Sequence, residues 1–356
     1  MKFASTEFEE QPFLDIEEED GWADDKKYFG DDAISNSDLR VFAVEGPAVF
    51  AAYKWCPDFV KKDATESQEF GTLLHTLIYE EDQFKKRYSM FSGNLPKSAQ
   101  MKKFCVDISE GIDLVTAYCN NYSMKNKSDS EITSKAEFLY DDLSAYISSL
   151  ARLGNRKIIT GDQYNNVKVA VKNYDGHPKV IEFKYILSRG KSLHLTEEAI
   201  YWKSNHGFDC RGKVDEIIID HKKKVIYKND LKSTYNSNPN SFGLTFQRGE
   251  EITLTGSLAK WGYDEQVAFY NKALLESDFC ERHDCVGYTI ENRIFAVRNT
   301  FPFNVNCYFM RDVVIEKAME KINKKMDDIA LFLATGNRDI SEWNDYKFVH
   351  NNEFVL

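Results

Sequence analysis

The sequence predicts a mixed α/β protein: a helical N-terminal region, then a β-sheet core flanked by helices. Three observations carry that expectation. Up to about residue 175, apolar residues recur at three-and-four spacing between polar breaks. From 177 to 234 come β-branched and aromatic runs, the last two joined by a polar turn around His221–Lys223. Beyond them helix, strand and helix patterns alternate, which suits one α/β domain better than separate α and β halves.

Taken in order, residues 1–32 read as a flexible acidic arm. They hold twelve acids against Lys2, Lys26 and Lys27, so most of the net charge of −11 belongs to them. Such an arm either mimics a polyanion or simply solubilises the chain. A single domain follows over 33–356, mostly helical over 33–175, with the sheet core and a C-terminal helix over 176–356. In "AISNSDLRVFAVEG", Ser35 or Ser37 caps a helix whose apolar side is Leu39, Phe42 and Ala43. "SQEFGTLLHTLIYEEDQFKKRY" is an amphipathic helix with Phe70, Leu73, Leu74, Leu77 and Ile78 as its buried stripe. "HPKVIEFKYI", "EEAIYWKS", "GKVDEIIID" and "KKVIYKNDLKST" read as strands, and 235–258 as a loop. "WGYDEQVAFYNKALLES" is a helix, "VGYTIENRIFAVRN" at least one strand, and "RDVVIEKAMEKINKKMDDIALFLATG" a long helix closed by Gly336.

Composition narrows the class. At 42% hydrophobic and 14% aromatic the chain is globular rather than disordered. No run approaches the ~18 apolar residues of a membrane helix, and the acidic N-terminus has no signal-peptide core. A soluble protein of the cytoplasm is expected, with no membrane partner. Seven scattered cysteines argue for free thiols. "CERHDC", with Cys280, His283 and Cys285, lacks the paired spacing of a structural metal site. Trp202 and Trp261 are read as core packing rather than base-stacking platforms.

The chemistry sits in "GKVDEIIIDHKKKVIYKNDLKST". Strands this apolar normally exclude charge, yet Asp215, Asp230 and Lys232 stand inside them. Alternation places Asp230 and Lys232 on one face, with Leu231 on the other. Neighbouring strands lie about 4.8 Å apart, so Asp215 approaches Asp230 across the hairpin. Two carboxylates that close need a cation between them. Hard oxygen ligands, the Leu231 carbonyl among them, suit Mg²⁺ or Mn²⁺. Lys232 beside such an ion orients or deprotonates a water and neutralises charge on a phosphate.

"G-x-x-D", a gap of fifteen residues or so, then "D-L-K" resembles the core of the PD-(D/E)XK nuclease superfamily, here Gly212, Asp215, Asp230 and Lys232. "ISNSDL", "FGTLLHTLIYEEDQF" and "DEQVAFYNKAL" extend the likeness, in order over about residues 33–335, to the phage-type exodeoxyribonuclease VIII (RecE-like) branch. The resemblance implies a restriction-endonuclease-like core with a central mixed β-sheet between helices. It implies that Asp215 and Asp230 hold metal with the Leu231 carbonyl, that Lys232 is catalytic, and that His75 lies at the metal. Gln266 and Tyr270, four apart on one helix face, would line the site. Glu197 or Glu198 matches an acid found upstream of the first strand. Ser233 and Thr234 stand where a hydroxyl donates to a phosphate or closes a strand end. Lys222 and Lys223 suit either a DNA backbone contact or a solvated turn.

The activity so implied is Mg²⁺-dependent exodeoxyribonuclease digestion of linear double-stranded DNA from its 5′ ends, leaving 3′ tails for recombination by annealing. Its partners would be DNA ends, a single-strand annealing protein and further copies of the chain in a closed ring. An endonuclease or single-strand nuclease of the same superfamily, serving defence or repair, is the alternative within enzymes. A non-catalytic DNA-binding protein that keeps the fold is the alternative outside them.

Overall fold

The structure, a computed structural model, describes residues 21–56, 59, 64–248 and 251–334. The first twenty residues of the expected arm, and Gly336, lie outside them. The chain divides into two compact units: residues 82–161 with the segment up to Lys26, and residues 27–81 with everything from Asp162 onward.

Helix α1 (Ala23–Gly30) occupies the last third of the segment expected to be a flexible arm. The apolar residues among the acids explain the difference. Tyr28 is buried, with the Arg211 guanidinium 4.8 Å from its ring centre. Arg211 is itself buried, and it donates to the carbonyls of Tyr28 and Phe29.

Helices α2 (Asn36–Glu45), α3 (Pro47–Trp55) and α4 (Glu66–Tyr79) follow. Ser35 caps α2 as expected, in a reciprocal box with Asp38, and Thr65 caps α4 in the same way with Gln68. The smaller unit contains α5 (Phe84–Arg87), β1 (Tyr88–Phe91), α6 (Ala99–Ser109), α7 (Leu114–Asn121), α8 (Asp129–Ala151) and β2 (Lys157–Thr160). Strands β1 and β2 pair in parallel. Helices α6 to α8 close over Phe104, Cys105, Ala136 and Leu143.

The larger unit resumes with α9 (Gly161–Asp175) and α10 (Pro178–Ser188). The α10 segment, expected as a strand from its valine, isoleucine and aromatics, is helical for local reasons. His177 caps it, Pro178 opens it, and the buried residues Val180, Phe183 and Ile186 recur every third position.

Five strands then build the main sheet: β3 (Ser192–Lys203), β4 (Asp209–Asp220), β5 (Val225–Thr234), and, after a long crossover, β8 (Thr289–Arg298) and β9 (Val305–Met310). The crossover holds α11 (Pro239–Phe242), the β6 (Thr245–Arg248) and β7 (Glu251–Leu254) hairpin, α12 (Gly256–Trp261), α13 (Tyr263–Glu276) and α14 (Phe279–Arg282). Helix α15 (Asp312–Ala334) ends the described chain. The sheet order is β3-β4-β5-β8-β9, antiparallel except for the central β5–β8 pair. Ile217, Ile219, Ile226 and Ile294 pack with Val267 and Phe269 of α13 and Ile322 and Met326 of α15. Each fully buried side chain of this kind is worth about 1.5–3 kcal/mol, so the strands carrying the charged residues are firmly held. Among the described residues no helix is long and apolar enough to cross a membrane.

Candidate active site

Strands β4 and β5 pair from Asp220↔Val225 to Glu216↔Asn229 and no further. Asp215 and Asp230 are the next rung, at the fork where the strands part. Instead of meeting a backbone carbonyl, the N–H of Leu231 donates to Asp215 Oδ2 at 2.7 Å. Both acids are buried. Lys232 Nζ lies 2.6 Å from Asp230 Oδ2, while Asp230 Oδ1 has no hydrogen-bond partner.

Helix α4 brings His75 to the same place. Gly71, one turn earlier on the same face, lets the helix close on β5: a Cβ there would sit 3.3 Å from Ser233 Cβ. His75 Nε2 lies 3.0 Å from the Leu231 carbonyl and 3.8 Å from Asp215 Oδ2, and Nδ1 lies 3.4 Å from Glu197 Oε1. With an acceptor at each ring nitrogen His75 is an imidazolium as it stands here, and it must give up a proton before a nitrogen can bind metal.

Glu197 and Asp215 are opposite one another on β3 and β4, and the ladder skips them between Thr196↔Glu216 and Glu198↔Val214. Glu197 has φ +52, a left-handed value that costs a residue with a Cβ. The side-chain alternation changes phase here on both strands. Leu193 and Leu195, then Ile200 and Trp202, join the main core from β3; Ile219 and Ile217, then Val214 and Cys210, join it from β4. This slip turns Glu197 to His75 and to Lys213, whose Nζ is 2.9 Å from Glu197 Oε2. It settles which of the two acids belongs to the group: Glu197 does. Lys213 is a neighbour that the sequence reading missed; its signal is its position two residues before Asp215 on one strand.

Electrostatics follow from this crowding. Burial and the charge of Asp230 push the Asp215 carboxyl well up, against the pull of His75 and Lys232. Burial would lower His75, but Asp215 and Glu197 outweigh it and hold the imidazole up at about 9. Burial would raise Glu197, and His75 with Lys213 pulls it down. Burial likewise opposes the charge on Lys232, yet Asp230 and Asp215 keep it above the ordinary lysine value. Lys232 is thus held as an ammonium beside the two acids.

The donor set fits a divalent ion. Ligand atoms of His75, Glu197 and Asp215 lie within 4.8 Å of one another, the single such His, Cys and acid group among the described residues. Asp230 also has a buried carboxylate oxygen without a hydrogen-bond partner among the described residues, a donor that a divalent ion could take up.

Gln266 and Tyr270 do share a face: Gln266 Nε2 donates to Tyr270 Oη at 3.0 Å. Gly212 admits the tyrosine ring, since a Cβ there would lie 3.1 Å from Tyr270 Cδ1. Burial, with the charges of Asp230 and Asp215 among the lesser causes, pushes the Tyr270 phenol up. Lys228, also unforeseen, is 1% exposed and donates to the Val267 carbonyl of α13 at 2.5 Å, which rivets that helix to β5. Ser233 and Thr234 donate to the main-chain carbonyls of Ser67 and Asn236, in the manner of strand-end hydroxyls. Lys222 and Lys223 sit in the turn at the far end of the hairpin, where both amides donate to Asp220 Oδ1. Seven residues at about 3.3 Å put Lys223 roughly 20 Å from Asp230, so the structure does not bring these lysines to the site. Among the cysteines all seven are free thiols.

A family model described as "PDDEXK-like domain of unknown function (DUF3799)" matches residues 51–339. The chain belongs to this family. Its restriction-endonuclease-like fold, a mixed five-stranded sheet between helices, is therefore the one expected, and the membership supports a nuclease. No curated protein is matched. Among solved structures the chain is similar to a protein from Eubacterium rectale described as a "putative exonuclease", at 12% identity and TM-score 0.39, over 91% of this chain and 88% of the other.

Proposed function

We propose that this protein is a divalent-metal-dependent deoxyribonuclease that hydrolyses phosphodiester bonds, working as an exonuclease on linear double-stranded DNA. The observation that carries the reading is the convergence of Asp215, Asp230, Lys232, Glu197 and His75 on one fork of the sheet, with an acid oxygen left unpartnered. Asp215, Asp230, Glu197, His75 and the Leu231 carbonyl would hold Mg²⁺ or Mn²⁺. Such an ion neutralises the scissile phosphate and makes a water more acidic. Lys232, kept as an ammonium, donates to a phosphate oxygen as negative charge builds on it. Asp215 is anchored at the fork by the Leu231 N–H, which donates to its Oδ2. Water adds to phosphorus and releases a proton to solvent, the ester oxygen leaves with the electron pair, and a proton from solvent completes the alcohol product.

The likeness of His75, the D…DLK pair and Gln266–Tyr270 to the exodeoxyribonuclease VIII branch supports 5′ to 3′ digestion that leaves 3′ tails for an annealing protein. It also supports a ring of copies closed around the duplex. The deciding test is digestion of duplexes labelled at either end, beside a covalently closed circle, with Mg²⁺ and with the Asp230→Ala variant as control. Loss of the 5′ label first, an intact circle and a dead variant are expected. Cutting of the circle makes the protein an endonuclease of the same superfamily, and undiminished cutting by the variant rejects the site.

A further inference from the structure

Trp261 ends α12 at the surface with 42% of its area exposed, contrary to its expected place in the core. A side chain of this size is normally spent on packing, as Trp202 is, 5% exposed with its ring 5.0 Å from Phe269. Two cations attend the Trp261 indole instead. The Arg40 guanidinium lies 5.0 Å from the ring centre and the exposed Lys260 ammonium 4.9 Å. Arg40 also donates to the Trp261 carbonyl at 3.3 Å, so the ring's backbone is fixed from α2. Gly262, at φ +64, then turns the chain into α13. The first residue of that helix, Tyr263, has its ring centre 5.4 Å from Lys232 Nζ. Trp261, held by Arg40, thus stands two residues along the chain from the tyrosine that lies against Lys232.

We infer that Trp261, with Arg40 and Lys260, is a stacking subsite for an unpaired nucleotide of the DNA strand whose phosphate lies at Lys232. This rests on the nuclease reading. The half-exposed indole offers a π-face that a base can cover by displacing the exposed Lys260 ammonium toward a flanking phosphate, with Arg40 left against the ring. A base inside a duplex has both faces occupied, so the subsite selects single-stranded DNA, at a frayed end or in a displaced strand. Its occupation would hold the strand beside the fork without reading its sequence.

The test uses the full chain and needs no cleavage. A fluorescein-labelled single-stranded 15-mer, a series with one abasic position moved along it, and a blunt duplex are titrated in EDTA by anisotropy. Wild type, Trp261→Ala and Trp261→Phe are compared. Trp261→Ala is expected to bind the intact strand about tenfold more weakly, with the duplex unchanged and Trp261→Phe close to wild type. One abasic position should cost wild type a similar factor and cost Trp261→Ala nothing further. Wild-type affinity of Trp261→Ala for the strand, a flat abasic scan in wild type, or equal losses on strand and duplex would each overturn the inference. Failure of the nuclease reading shows separately, as wild type that binds the strand through Trp261 but cuts no DNA in Mg²⁺.

Discussion

The β4–β5 hairpin carries an acid on each face, and the two faces handle it differently. Glu216 accepts from Asn229 Nδ2 at 2.7 Å on one oxygen and from His194 Nε2 at 2.9 Å on the other. Asp215, its neighbour in sequence, shares its surroundings with a second buried acid, and Asp230 keeps an oxygen with no donor. One face is closed by the protein's own hydrogen bonds. The other leaves Asp230 Oδ1 without a hydrogen-bond donor among the described residues, open to a cation. Burying an acid is thus no sign of function by itself; burying it without enough donors is.

That contrast is broken or sharpened by four measurements, from the largest expected effect to the smallest. Asp230→Ala and Asp215→Asn should each lower the DNA cleavage rate by at least about a hundredfold, the scale of losing one fixed electrostatic partner. Glu216→Gln should stay within a few-fold of wild type. Equal losses on both faces would erase the distinction. Second, Mg²⁺ or Mn²⁺ should raise the melting temperature of wild type and of Glu216→Gln, by an amount that grows with concentration. The rise should vanish in Asp215→Asn.

Third, the metal-free stabilities should move in opposite directions. Asp215 is raised in the fold, so the folded protein keeps a proton that the unfolded chain releases. His75, raised to about 9, does the same at higher pH. Both make stability fall as pH climbs, Asp215 from the ordinary carboxylate range upward and His75 from its usual range to about 9. Glu197, depressed, acts the other way only on acidification through the carboxylate range. Asp215→Asn should flatten this slope and melt higher than wild type at neutral pH, by about 2–4 °C. Glu216→Gln should melt lower at every pH, by about as much, because its single amide oxygen leaves one of Asn229 and His194 facing an NH₂ group instead of an acceptor. Last, Lys222→Ala with Lys223→Ala should change cleavage by less than about twofold, since turn lysines this far from the acids act only through a screened field.

The hairpin and its charged residues were legible because period-two alternation and one polar turn define them locally. The caps at Ser35 and the i, i+4 pair Gln266–Tyr270 were legible for the same reason. What escaped depends on distant partners or on broken periodicity. β1 and β2 pair across an intervening stretch of three helices and their loops. β9 is short, and only its neighbour β8 makes it a strand. α10 is β-rich in composition, and its capping histidine and proline outvote its valine and isoleucine. The choice between Glu197 and Glu198 stayed open because the strand changes phase at that very residue, which no alternation pattern can show. Trp261 was misplaced because hydrophobicity says nothing about two cations arriving from elsewhere in the chain.

Arg211 has a practical consequence for anyone trimming the protein. Composition invites a cut at residue 33, just after the last acids of the N-terminal stretch. That cut would remove the Tyr28 and Phe29 carbonyls and strand a guanidinium, 4% exposed, on the strand that leads to Asp215. An abandoned interior cation costs about 3–5 kcal/mol. A shortened version meant to report on the acidic residues alone should begin before Ala23, or it will report on a damaged sheet instead.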